Sequence, residues 1–112
     1  MTYLDYSATT PMSLDAIDTY TKVSKEYIGS IYSNNEIGRK AKELLDITTK
    51  EISDTLNIMD SEIVYTNGAT EANNMALIGV VEKYKDRGKH IITTKLEHSS
   101  ILATVHYLKQ KG

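Results

Sequence analysis

Apolar positions along this chain recur with two different periods, and the changes of period divide it into segments. From about Asn35 to Leu56, the residues Ile37, Ala41, Leu44, Leu45, Thr48, Ile52 and Leu56 fall on one face of a helix. The opposite face carries Glu36 four residues before Lys40 and Asp46 four residues before Lys50. Such pairs add about 0.2–0.5 kcal/mol each and mark a solvated face rather than a binding patch. Upstream, Ser13 is placed to cap a helix running to about Tyr27, with Asp15 and Asp18 near its positive end. The apolar stripe of that helix (Leu14, Ile17, Tyr20, Tyr27) is thin and predicts a surface position. Before it, Tyr3, Leu4 and Tyr6 suggest an extended arm that Thr10-Pro11 keeps out of helix. Gly29-Ser-Ile-Tyr-Ser-Asn-Asn35 separates the two helices, and Asn57-Ile-Met-Asp-Ser61 follows the second.

The pattern then alters. Ile63, Val64 and Tyr65 are strand formers, and Asn67-Gly68 permits the positive φ values of a tight turn. From Ala69 to Lys85 the period is helical again, with Ala72, Met75, Ala76, Gly79 and Val80 on one stripe. Leu77, Ile78 and Val81 extend the apolar surface almost all round, which predicts burial between a sheet and another layer. Arg87-Gly88 suits a C-cap, Lys89-His-Ile-Ile-Thr-Thr94 reads as a second strand, and Lys95 to Ser100 as a loop. Ile101, Leu102, Val105 and Leu108 predict the buried face of a last helix, which Gly112 is placed to stop. Strand, helix, strand, helix implies a parallel α/β layer. Two strands do not make a stable sheet, so the expected sheet is incomplete.

Composition narrows the possibilities. A chain of 112 residues suffices for one small domain and is short for two. Its formal charge of −2 argues against an electrostatically driven nucleic-acid or membrane surface. No run approaches the about 18 apolar residues of a membrane span, and the N-terminus lacks a signal-peptide layout, so the expected compartment is the cytoplasm. The chain contains no cysteine, which excludes disulfides, thiolate metal sites and a cysteine nucleophile within it.

Two places can carry chemistry. A strand, a glycine turn and a helix start leave backbone N–H groups free at the positive end of the helix dipole, and Thr70 adds a hydroxyl. This is a candidate phosphate cradle; the same turn also serves as a plain connection in many α/β proteins. His98 lies just past a strand end beside Glu97, where open α/β sheets place ligands. Its ring suits proton transfer or stacking on a flat cofactor, and equally suits capping of the last helix. His90 and His106 read as structural or exposed, and no pair of histidines has metal spacing. Ser99 and Ser100 follow His98, but adjacency alone does not build a Ser-His-Asp arrangement. In the arm, Ser7, Thr9 and Thr10 beside Asp5 can contact a ligand or satisfy loop backbone.

Three blocks carry a resemblance: Tyr3-Leu-Asp-Tyr-Ser-Ala-Thr-Thr-Pro11, Thr66-Asn-Gly-Ala-Thr-Glu-Ala-Asn-Asn74 and Lys89-His-Ile-Ile-Thr-Thr-Lys-Leu-Glu-His98. In order and spacing they resemble cysteine desulfurases, pyridoxal-phosphate enzymes of the class V aminotransferase group. The resemblance implies the N-terminal part of a fold-type I α/β transferase. Residues 1–60 would form an arm and two helices, and residues 61–112 the start of the large cofactor-binding domain. It further implies pyridoxal 5'-phosphate as cofactor, L-cysteine as substrate, a sulfur-acceptor protein as partner, and delivery to iron–sulfur or thiolation pathways. By the same resemblance Ala69 and Thr70 match the family's phosphate-binding pair. His98 matches the histidine that stacks on the pyridine ring and is placed for proton transfer, and the Asp5–Thr10 arm matches a segment near the substrate entrance. No metal is implied. One stretch departs: the family commonly has Gly-Asn-Pro-Ser-Ser-x-His before the second helix. Here only Gly29 and Ser33 are kept, and Asn35 stands in place of the histidine.

The family's aspartate for the pyridine nitrogen, its Schiff-base lysine and its persulfide cysteine all match positions beyond Gly112. The expectation is therefore a chain inactive by itself. Two readings stay open: a piece of a desulfurase, or a non-catalytic module that docks on a desulfurase subunit or binds a phosphorylated ligand. Unpaired strand edges and the apolar helix predict a homodimer or self-association.

Overall fold

The computed structural model describes residues 2–112, which divide into two units, one ending at Ile63 and the other running from Val64 to Gly112. The first unit contains helices α1 (Leu14–Glu26) and α2 (Glu36–Leu56) and a short 3-10 turn, Asp60–Glu62. The second contains α3 (Ala69–Tyr84) and α4 (Ser99–Lys111).

Helix boundaries follow local chemistry. Ser13 Oγ accepts from the Ala16 N–H at 3.2 Å to open α1. This helix buries no residue, as its thin stripe predicts. Asn35 Oδ1 accepts from the Gly38 N–H at 2.8 Å to open α2, and Asn57, left-handed at φ 55°, closes it. On α2, Ala41 is buried and Leu44 and Leu45 are half-buried, while Ile37 and Leu56, expected on the same covered face, are exposed. The fully buried side chain of α2 is Ser53, whose hydroxyl lies 2.5 Å from Asp60 Oδ1 and fastens the 3-10 turn to the helix.

Several expectations are corrected. No strand forms among the described residues: 63–66 and 88–94 carry no regular structure. A strand is stabilised by a ladder with a neighbouring strand, and no ladder forms among the described residues. The arm is not extended throughout, because the Ala8 N–H returns to the Asp5 carbonyl at 3.1 Å and closes a turn. Helix α3 ends at Tyr84, with Lys85 as its C-cap, rather than at Arg87-Gly88. It buries no residue completely; Asn73, Asn74, Leu77, Ile78 and Val81 are half-buried, and Met75 and Val80 face solvent. On α4 the buried positions are Ser100, Thr104 and Leu108, with Ile101, Leu102 and Val105 only half-covered. The charged face of α2 keeps the Glu36–Lys40 pair at 3.0 Å, but Asp46 pairs with Lys42 at 2.7 Å and Lys50 pairs with Asp54. Asp46 has a lysine four residues away on either side and Lys50 a carboxylate on either side, so the spacing alone does not choose between the pairings.

Helices α3 and α4 pack on each other within the second unit. The contact is mixed. Asn73 Nδ2 donates to Ser100 Oγ at 2.9 Å, and Thr104 Oγ1 donates to Asn74 Oδ1 at 2.9 Å. These bonds join the N-terminal halves of the two helices, and further along α4 the apolar Leu108 is buried.

Candidate functional site

Gly68 precedes α3 at φ 156°, a conformation that favours glycine, and carries no side chain to cap the helix. The first N–H groups of any α-helix lack intrahelical acceptors, so those of Ala69 and Thr70 stand at the positive end of α3 without a side-chain cap from Gly68. The turn is held from both sides. Thr66 Oγ1 donates to the Gly68 carbonyl at 3.1 Å. The Glu71 carboxylate folds back to accept from the Asn67 N–H at 2.6 Å and from Asn67 Nδ2 at 3.1 Å. Thr70 is exposed, and its carbonyl accepts from Asn74 Nδ2 at 2.8 Å. Such a helix start is suited to an anion.

His98 is the N-cap of α4. Its Nδ1 accepts from the Ser100 N–H at 3.2 Å, and Ser100 Oγ lies 2.9 Å from the same nitrogen. The cap reading of this histidine is therefore realised, and the ring remains exposed while it caps. Asn73 Nδ2 reaches Ser100 Oγ, so α3, one turn beyond Thr70, is tied to the residue that holds His98. Ser100, two residues after His98, does not offer a free nucleophile: it is 7% exposed and its hydroxyl is engaged on both sides.

The structure thus places Ala69, Thr70 and His98 at the starts of two helices packed in one unit. Asn73, Asn74, Ser100 and Thr104, which join those helices, are the polar residues that apolar periodicity overlooks. Their signal in the sequence is a pair of polar positions, Ser100 and Thr104, in line with Leu108 at spacings of four.

The arm belongs to the first unit. Its hydroxyl groups are used locally: Tyr3 donates to the Asp5 carbonyl at 2.8 Å, Ser7 to Asp5 Oδ1 at 3.0 Å and Thr10 to the Tyr6 carbonyl at 3.4 Å. The departing loop, Ile31 to Asn35, lines an open cavity of about 350 Å³ with Arg39 and Lys42. Among the described residues, no group of three or more histidine, aspartate or glutamate side chains is placed to hold a metal ion.

A glycine turn opening one helix, a histidine opening the next, and the three sequence blocks around them define a class. The chain belongs to the aminotransferase class-V family, whose model matches residues 2–112. Among its relatives within that family are cysteine desulfurases. It is 40% identical over 113 aligned positions to the cysteine desulfurase IscS of Buchnera aphidicola subsp. Acyrthosiphon pisum (strain 5A), covering 98% of this chain and 28% of that protein. It is 37% identical to the putative cysteine desulfurase NifS of Halalkalibacterium halodurans, covering 99% of this chain and 30% of that protein. A solved structure, a NifS-like protein, superposes with a TM-score of 0.86 at 31% identity, over 96% of this chain and 30% of the other. The chain spans under a third of the length of these relatives and matches their N-terminal portion.

Proposed function

We propose that this chain is the N-terminal portion of a pyridoxal-phosphate-dependent cysteine desulfurase and carries the phosphate end and one ring contact of its cofactor site. The supporting observation is the start of α3, where Gly68 lacks a capping side chain and the Ala69 and Thr70 N–H groups stand at the positive end of a 16-residue helix. That donor set fits a phosphate: the backbone N–H groups and the Thr70 hydroxyl donate, and the nearby Glu71 carboxylate is already engaged by Asn67. His98 fits the ring end. Its Nδ1 is occupied by Ser100, leaving an exposed ring face for stacking and Nε2 for proton exchange.

When bound, pyridoxal phosphate supplies an electron sink for charge developing at a substrate carbon. Under this reading the substrate is L-cysteine, the product L-alanine, and the sulfur leaves on a thiol as a persulfide destined for an acceptor protein. This chain has no cysteine, so that thiol comes from outside these 112 residues. The cytoplasm is the expected site of action. Among the described residues no helix is long and apolar enough to cross a membrane. Self-association of the isolated chain is expected because Ile92 and Leu96 are 89% and 95% exposed in the segment where family members place a strand and its following loop.

The test is a chimera in which these 112 residues replace the matching N-terminal portion of the NifS-like protein. It should take up pyridoxal phosphate and release alanine from cysteine. Thr70→Ala in that chimera should weaken cofactor binding by roughly tenfold, the loss of one hydrogen bond to a charged group. A folded chimera that binds cofactor but makes no alanine favours the docking or ligand-binding module. One that takes up no cofactor refutes the site itself.

A further inference from the structure

We propose that Asn73 and Ser100 are positioning residues for His98, forming a relay that holds the neutral imidazole with its proton on Nε2. The direction of each hydrogen bond follows from the one donor whose role is not open to choice. The Ser100 backbone N–H faces His98 Nδ1 at 3.2 Å, so Nδ1 carries a lone pair and not a proton. Ser100 Oγ, 2.9 Å from the same nitrogen, must then be a donor to it. A hydroxyl has one proton, so what approaches Ser100 Oγ from its other side must itself donate, and Asn73 Nδ2 at 2.9 Å does so. The order is Asn73 Nδ2–H to Ser100 Oγ, then Ser100 O–H to His98 Nδ1.

Three features make this a relay rather than an incidental contact. Ser100 is buried, so water does not compete freely for its hydroxyl. Asn73 sits on α3, 27 residues away in sequence, so the state of the ring depends on how the two helices pack. Asn73 also lies one turn beyond Thr70, which couples the proposed phosphate end of the site to its ring end through a single helix. The functional weight of the relay rests on the desulfurase reading, under which Nε2 is the nitrogen left to exchange a proton; its geometry does not.

The experiment uses the 112-residue chain without cofactor. Imidazole nitrogen NMR shifts are recorded at about pH 9, above the ordinary imidazole range, with His90 and His106 as references in the same spectrum. His98 should show a single neutral form with an unprotonated Nδ1. Asn73→Asp replaces the donor with an acceptor of the same shape, which draws the Ser100 proton away from Nδ1. The ratio of the two neutral tautomers of His98 should then move toward Nδ1–H by roughly fivefold or more, the size of one exchanged hydrogen bond. Ser100→Ala keeps the backbone cap and removes the relay, so in that background Asn73→Asp should leave His98 unchanged. A His98 signal indifferent to Asn73→Asp, or one that responds equally with and without the Ser100 hydroxyl, overturns the proposal. Because no cofactor or turnover enters the measurement, its failure is separate from a failure of the chimera.

Discussion

The same substitution, glycine to alanine, should have opposite signs at two helical positions of this chain. Gly38 lies in the first turn of α2 and is buried beneath the loop that precedes it. A Cβ there would stand 2.6 Å from the Ser30 carbonyl oxygen and closer still to that of Ser33. Neither oxygen can retreat easily, because the Ser33 N–H is bonded to the Ser30 carbonyl at 2.9 Å and Asn35 is tied to the Gly38 N–H at 2.8 Å. Overpacking of this kind costs about 1–3 kcal/mol, against a helix-propensity gain of about 0.5–1 kcal/mol. The clash is with backbone on two sides, so the upper part of that range applies and Gly38→Ala should lose about 1–2 kcal/mol net. Gly79, in the middle of α3, is exposed and a Cβ there would meet nothing within 4 Å. Gly79→Ala should therefore gain the propensity term alone, about 0.5–1 kcal/mol. Native-state hydrogen exchange reads the two helices separately. Amides of α2 should exchange about five- to thirtyfold faster in Gly38→Ala, and those of α3 about two- to fivefold slower in Gly79→Ala, since about 1.4 kcal/mol corresponds to tenfold. Slower exchange of α2 in Gly38→Ala would refute the packing of the Ser30–Ser33 loop against that helix.

Two further outcomes follow from the first unit. Ser53→Ala removes a fully buried hydroxyl and leaves Asp60 without its 2.5 Å partner, so the 3-10 turn should detach at a cost of about 1–3 kcal/mol; denaturant titration and loss of amide protection at Ile58 and Glu62 would show it. The Lys50 ammonium is held above its ordinary value of 10.5 by its hydrogen bond to Asp54, aided by the charges of Asp54 and Asp60. A cation whose folded-state pKa is raised contributes its stability below the unfolded value and loses it as pH rises through the folded one. The last turns of α2 should accordingly loosen only above about pH 10.5, and Asp54→Asn should bring the Lys50 side-chain titration, followed by NMR, back toward 10.5. An unchanged Lys50 titration in Asp54→Asn would show that the pair does not persist in solution.

The family and the helices were legible in the amino-acid sequence because both are written locally. Ser13 and Asn35 act through the third residue after them and His98 through the second, so a helix start is encoded within a few positions. The glycine turn before Ala69 is equally local, since Gly68 alone supplies its φ of 156°. Strands are not local. Ile63 to Tyr65 and Lys89 to Thr94 have the composition of strands, but a strand needs a ladder with a neighbouring segment, and no strand forms among the described residues. On α4 the predicted Leu108 is buried, but Ile101, Leu102 and Val105 are only half-covered, for a related reason. Periodicity nominates apolar residues, whereas Ser100 and Thr104 are covered because Asn73 and Asn74 on another helix satisfy their hydroxyl groups.

Sequence by itself therefore determined where the first three helices begin, the turn that leaves the α3 N–H groups open, and the residues that mark the class-V aminotransferase family. Only the tertiary structure decided that the capping His98 keeps its ring exposed, and that Asn73, 27 residues away, reaches the serine holding it. The first set depends on interactions spanning a few residues. The second depends on two helices meeting, and no local pattern states which polar side chains will face each other when they do.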